Sequence, residues 1–457
     1  MSLASPSSVS AVVAVLVRFL CRVTRAVPVA TACWCRALVA DRRSHRCLTE
    51  VGDCRGPSRK RRQRFCWRRL PDIMERLQVL EPEDNPQKST WYDLIPRGQC
   101  PSARVGHNCL YLPPAEDSRK GKVVIVGGAN PNGSFSDAYI IDLDLHEWDV
   151  PDWDNLLPRY EHANFIPAGN TDSIWVFGGA EQCGNRNCVQ VLHQETGTWK
   201  SPKVSGSPPS PRTFHTSSSS IGDKLYVFGG GEKGSEPAED TVLHVFNSAT
   251  LTWTQPEVSG KPPAPRHGHV MVAVGTKLFV HGGMSGDQFY NDMCCIDTSD
   301  MKWQRLKVKG DVPVGCAAHA AAGCGKHIYI FGGMGAAGAV NTMYRYHTED
   351  QSWTLLKFDS PLPRSRLDHS MCIVPWRVRT DPTVSRTGST HTTGDQYEDE
   401  GEGEGCKTTC VKDSGDHQRE EGYGYKEARF VKLCIIFGGM DTHGELFSDC
   451  CVTMLEQ

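Results

Sequence analysis

A chain of 457 residues with 44 glycines and 39% hydrophobic content suits a turn-rich β architecture better than a helical one. The net charge of −3 hides a division: residues 1–73 hold 15 Lys+Arg against 4 Asp+Glu, and the rest is acidic, which argues against nucleic acid as a partner of the main body. No apolar run reaches the ~18 residues of a membrane helix, and the 20 cysteines show neither repeated CxxC pairs nor a CxxC…HxxxH spacing, so no metal and no cofactor is expected.

Residues 1–73 read as a disordered basic extension, non-native to the functional polypeptide, with Met74 as the start and 74–89 as a lead-in. Ala11–Val17 is apolar but is ended by Arg18 and preceded by no basic residue, which makes a poor signal peptide. The Arg-rich stretch lacks the amphipathic period of a transit peptide, and Arg59-Lys60-Arg61-Arg62-Gln63-Arg64 reads as a solvated tail rather than a nuclear signal. Thr90-Trp91-Tyr92-Asp93-Leu94 is the first clear strand, and it matches Ser352-Trp353-Thr354-Leu355-Leu356 far along the chain.

Between these lies a repeat. An apolar run ends in Gly-Gly at 127–128, 178–179, 229–230, 282–283, 332–333 and 438–439. A histidine opens each unit (His107, His162, His215, His269, His319, His369), with Arg104, Arg159, Arg212, Arg266 or Arg366 three residues earlier; the fifth unit has Cys316 there. Trp148, Trp199, Trp253, Trp303 and Trp353 close the units. Runs such as Lys224-Leu225-Tyr226-Val227-Phe228 are short strands, followed by a polar loop, a third strand and the Trp strand. Each unit is thus a four-stranded sheet that cannot cover both its faces alone, and stacking the sheets about an axis covers them. The last unit lacks its Trp strand, and the segment around Trp91 is the missing piece. The expected fold is all-β: a six-bladed propeller closed by an amino-terminal strand. Cys294–Cys295 and Cys450–Cys451 fall on strands, where neighbours face opposite ways as buried reduced thiols.

His369 lies 69 residues before Gly438, so an insertion at 377–432 separates the first two strands of blade six. It is acidic at Asp395–Glu404 and rich in Gly, Ser and Thr, a composition that cannot order itself. Antiparallel order sends it away from the face that carries the arginines.

Arg-x-x-His, the run into Gly-Gly, the spaced Tyr and the Trp resemble the kelch family over about residues 90–455. Gly127–Asn132, Leu157–His162, Arg266–Met271 and Arg366–Met371 are similar to kelch-repeat effectors of a late-endosomal Rab GTPase. That similarity implies a monomer that binds the GTP-bound Rab GTPase and promotes return of mannose 6-phosphate receptors to the trans-Golgi. It also implies peripheral recruitment to late-endosome membranes through the GTPase or a phosphoinositide kinase. A generic kelch adaptor in ubiquitin ligation or cytoskeletal scaffolding is the rival, weakened because residues 1–89 resemble no BTB or F-box module. A kelch-fold oxidase is the other, but its ligand positions find no match.

No enzyme is expected. The histidines occupy one equivalent position per blade, and no blade carries a convergent nucleophile, base or ligand set. Binding candidates are the variable loops after Gly-Gly: Asn132, Phe135, Arg186, Asn187, Lys233, Asp287 and Phe289, with Arg104, Arg159, Arg212, Arg266 and Arg366 as a further set on the same face.

Overall fold

A computed structural model describes residues 76–114, 119–213, 219–233, 236–379 and 429–456. The basic extension at 1–73, Met74 itself, His215 and the acidic run at 395–404 lie outside them. Among the described residues every regular element is a strand, and the principal strands form the six sheets of a propeller.

Blade two shows the pattern: Ala163–Phe165, Ser173–Phe177, Val189–His193 and Thr198–Lys200 pair antiparallel in chain order, from the axis outward. The second strands are β-branched and aromatic and are buried on both faces, as in Ile174-Trp175-Val176-Phe177, because a neighbouring blade covers each side. Blade six has Ser370–Val378, Arg429–Phe437 and Cys450–Met454. Its fourth strand is Trp91–Asp93, with Trp91 opposite Thr453 and Asp93 opposite Cys451.

The blades join through one repeated device. The residue ending each second strand receives the Trp of the next blade: Trp148 on Phe437 at 5.7 Å, Trp253 on Phe177 at 4.7 Å, Trp303 on Phe228 at 5.3 Å, Trp353 on His281 at 5.0 Å and Trp91 on Phe331 at 5.2 Å. Trp199 joins Val126 in the same way. The second Gly donates its amide to the carbonyl of the next blade's opening residue, from Gly128 to Arg159 (2.9 Å) round to Gly439 and Arg104 (2.9 Å). That last bond closes the circle.

A further feature has no obvious sequence signal. The segment linking two blades runs as a short outer strand parallel to the next Trp strand: Ser205–Gly206, Ser259–Gly260 and Lys309–Gly310, with Gln78–Val79 doing the same for blade six. Glycine is required there, since at Gly206, Gly260 and Gly310 φ is 77–81° and a Cβ would stand 2.0–2.3 Å from a tryptophan carbonyl.

The adjacent cysteines do face opposite ways: Cys294 packs toward blade three and Cys295 toward blade five, while Cys450 and Cys451 divide between two clusters. The hairpin of blade six stays paired from Ser370↔Phe437 to Val378↔Arg429, so residues 377–378 and 429–432, expected in the insertion, belong to the sheet. The lead-in holds them there: Trp376 is buried, donates Nε1–H to the Asp84 carbonyl, and carries the Lys120 ammonium 3.8 Å above its ring. The hairpin's open end lies opposite Gly438 and Arg366, and 380–428 lies outside the described residues.

Candidate functional site

The face bearing the Gly-Gly pairs was expected to present arginines. The structure corrects this: Arg104, Arg159, Arg212, Arg266 and Arg366 are 0–1% exposed. Each donates Nη1–H to the first Gly carbonyl of its own blade, at 2.9–3.1 Å. In blades one, three, four and six an aspartate, ten or eleven residues after that Gly, completes the pair: Asp137, Asp240, Asp292 and Asp449. Burial opposes ionisation of Asp292, yet the Arg266 hydrogen bond and charge hold its carboxyl below the usual range. In blade two Cys188 stands in the aspartate position, and Arg159 turns to the Gln190 Oε1 at 2.6 Å. Blade five loses both members, having Cys316 and Thr342. A guanidinium so committed fixes the strand opening and is not a contact for a partner.

The loop residues divide. Asn132 and Asp287 are exposed at loop tips, Asn132 in a turn where its amide donates to Asn130 Oδ1. Phe135 is half-buried, its ring 4.3 Å from the Arg104 guanidinium, and Phe289 packs against an apolar cluster of Val105, Met284, Ala317, Met334, Leu367 and Met440 at the axis. Both aromatics therefore support their own loops. Arg186 pairs with Glu181 at 2.6 Å and donates to the Pro158 carbonyl, while Asn187 donates to the Pro209 carbonyl. Lys233 lies on the short strand Gly231–Lys233, and its side chain is outside the described residues.

Sequence reasoning missed the apolar groups on this face. Leu157, Val314 and Leu362 precede the strand-opening Arg159, Cys316 and Arg366, and Val242 lies in the loop after Gly230; all four are exposed, Val314 to 66%. Their signal was an apolar residue beside proline in a linking segment, as in Leu157-Pro158, Pro313-Val314 and Leu362-Pro363. The exposed aliphatics and the polar groups at the loop tips lie together on this one face of the ring.

The six first strands line an axial channel with a cavity of about 420 Å³. Around it, backbone amides link successive blades: Ala318 to Gly268 (2.7 Å), Asp368 to Ala318 (3.0 Å) and Gly106 to Asp368 (3.0 Å). Burial pushes the Asp368 carboxyl up to about 7. The unit histidines cross to the preceding blade, His107 donating Nε2–H to the Phe437 carbonyl at 3.1 Å. At one boundary this pattern changes: His281, Cys316 and His319 bring ligand atoms within 4.8 Å of one another.

The repeat and its closure define a kelch-repeat propeller, and the KLHDC2/KLHL20/DRC7 Kelch-repeats domain matches residues 115–333 and 217–379. The chain is 60% identical over 383 residues to the human Rab9 effector protein with kelch motifs, covering 84% of this chain and all of that protein. The proteins of the same name from Xenopus laevis (63% over 380 residues, 83% of this chain and 99% of that one) and Danio rerio (53% over 392, 84% and 100%) agree. The chain belongs to the family of Rab9 effector proteins with kelch motifs.

Proposed function

We propose that this chain is a non-catalytic effector that binds the GTP-bound form of a late-endosomal Rab GTPase through the Gly-Gly face of its propeller. The observation that carries the reading is the 60% identity to the human Rab9 effector protein with kelch motifs across that protein's entire length. The exposed Leu157, Val242, Val314 and Leu362 on one face support the choice of surface. The rigid ring offers a fixed template, and nucleotide-ordered switch segments of the GTPase supply the complement, which hydrolysis removes. The outcome is return of mannose 6-phosphate receptors from late endosomes to the trans-Golgi. The chain acts as a monomer held at the late-endosome membrane by the GTPase or a phosphoinositide kinase. No helix among the described residues is long and apolar enough to cross a membrane. A pull-down with the Rab loaded alternately with GDP and a GTP analogue tests this: retention only in the GTP state is expected, and equal or absent retention in both states refutes it.

A further inference from the structure

Two positions break the repeat, and they break it at the same boundary. The residue before Gly-Gly is Val126, Phe177, Phe228, Phe331 or Phe437, except in blade four, where it is His281. The residue opening the first strand is arginine, except in blade five, where it is Cys316. Blades four and five are neighbours, and the ordinary unit histidine of blade five, His319, crosses to blade four between them. At the equivalent boundary of blades six and one, His107 meets the edge of Phe437 and bonds its carbonyl. Here His319 meets a second imidazole instead, with Nε2 3.1 Å from Nδ1 of His281. The Cys316 Sγ completes the group within 4.8 Å, and all three residues are buried.

We infer that His281, Cys316 and His319 form a three-coordinate site for a soft monovalent ion, Cu(I). Imidazole nitrogen and thiolate sulfur are the donors that closed-shell soft and borderline ions select. Two nitrogens bound to one three-coordinate ion by bonds of ~2.0 Å stand about 3.5 Å apart, so the pair at 3.1 Å must open by a few tenths of an ångström. The choice of charge follows from burial. Among the described residues no fourth His, Cys, Asp or Glu joins the group, and a divalent ion with one thiolate leaves a net positive charge among buried side chains. Cu(I) with one thiolate is neutral. On uptake the Cys316 S–H bond breaks, the S–Cu bond forms and the proton passes to solvent, with no change of oxidation state. His319 lines the axial channel, which gives an ion a route in.

The test offers Cu(I) to the full chain anaerobically, as its bicinchoninate complex, and compares wild type with His281→Phe and Cys316→Ala. The phenylalanine is the residue the repeat places at this position in most other blades, so that variant keeps its packing against Trp353, and the alanine variant covers a failure of the first to fold. The expected result is one more equivalent of retained Cu(I) in wild type than in either variant, with nitrogen and sulfur together in its X-ray absorption shell. The control of cysteines elsewhere is built in, because they are common to wild type and His281→Phe. Equal retention in all three chains overturns the site. Zn2+ retention that depends on His281 while Cu(I) retention does not overturns the assignment to a monovalent ion.

Discussion

Trp91 lies opposite Thr453, and its ring sits 5.2 Å from that of Phe331 in the preceding blade. One residue from the amino-terminal side thus completes the last sheet and fills the space between blades five and six. Trp91→Ala should destabilise the ring by roughly 3–5 kcal/mol, the usual cost of a buried tryptophan, and Trp91→Phe by clearly less. Chemical denaturation followed by intrinsic fluorescence measures both. A Trp91→Ala chain as stable as wild type would mean that the ring does not depend on this latch.

The buried Arg266 and Asp292 hold each other at 2.7 Å. Arg266→Cys leaves the Asp292 carboxylate with only the exposed Arg305, 3.7 Å away, and should cost about 3 kcal/mol. Blade five shows how a blade lives without the pair, so the double change Arg266→Cys with Asp292→Thr should recover part of that loss. A double-mutant cycle in denaturant reads the coupling, and strict additivity would contradict it.

Asp368 gives a pH dependence with a definite sign. The unfolded chain ionises this carboxyl near the ordinary value, whereas the folded chain does so near 7, because of burial. Its contribution is therefore fully present below the ordinary carboxylate pKa and is lost as pH rises through 7. The residue sits at φ 51°, which asparagine accepts readily. Asp368→Asn should match wild type at pH 4 and exceed its melting temperature at pH 8 by about 5 °C. Identical melting curves at both pH values would show that the carboxyl is not buried as described.

Two exposed aliphatics separate the faces. Val314 is 66% exposed beside the opening of blade five, and Leu145 is 61% exposed in the hairpin turn at the opposite end of blade one. Val314→Asp should weaken retention on the GTP-loaded Rab about tenfold, while Leu145→Asp leaves it unchanged and both variants keep wild-type stability. The reverse pattern in a pull-down would move the partner to the other face.

The periodic signals made the ring legible. Gly-Gly, His and Trp recur because every blade solves the same packing problem, and the match of Trp91 to Trp353 discloses the closure from sequence alone. What the periodicity hid was chemistry that crosses blades. Arg266 looked like a surface cation, since nothing in a linear motif says that Asp292 will meet it and bury its guanidinium. His281 stands inside an apolar run, and its distance along the chain from Cys316 and His319 conceals their convergence. Phe135 and Phe289 were read as anchors because aromatic residues in loops have that reputation; the Arg104 guanidinium and the axial methionines claim them first.

The amino-terminal latch sets an order of events during synthesis. The strand Trp91–Asp93 leaves the ribosome long before its pairing partner Cys450–Met454. Until that partner is made, the Trp91 strand has nothing to pair with and the ring stays open. The circle becomes possible only once both strands are out, and a nascent chain stalled before Cys450 would present two raw edges to whatever chaperone is near.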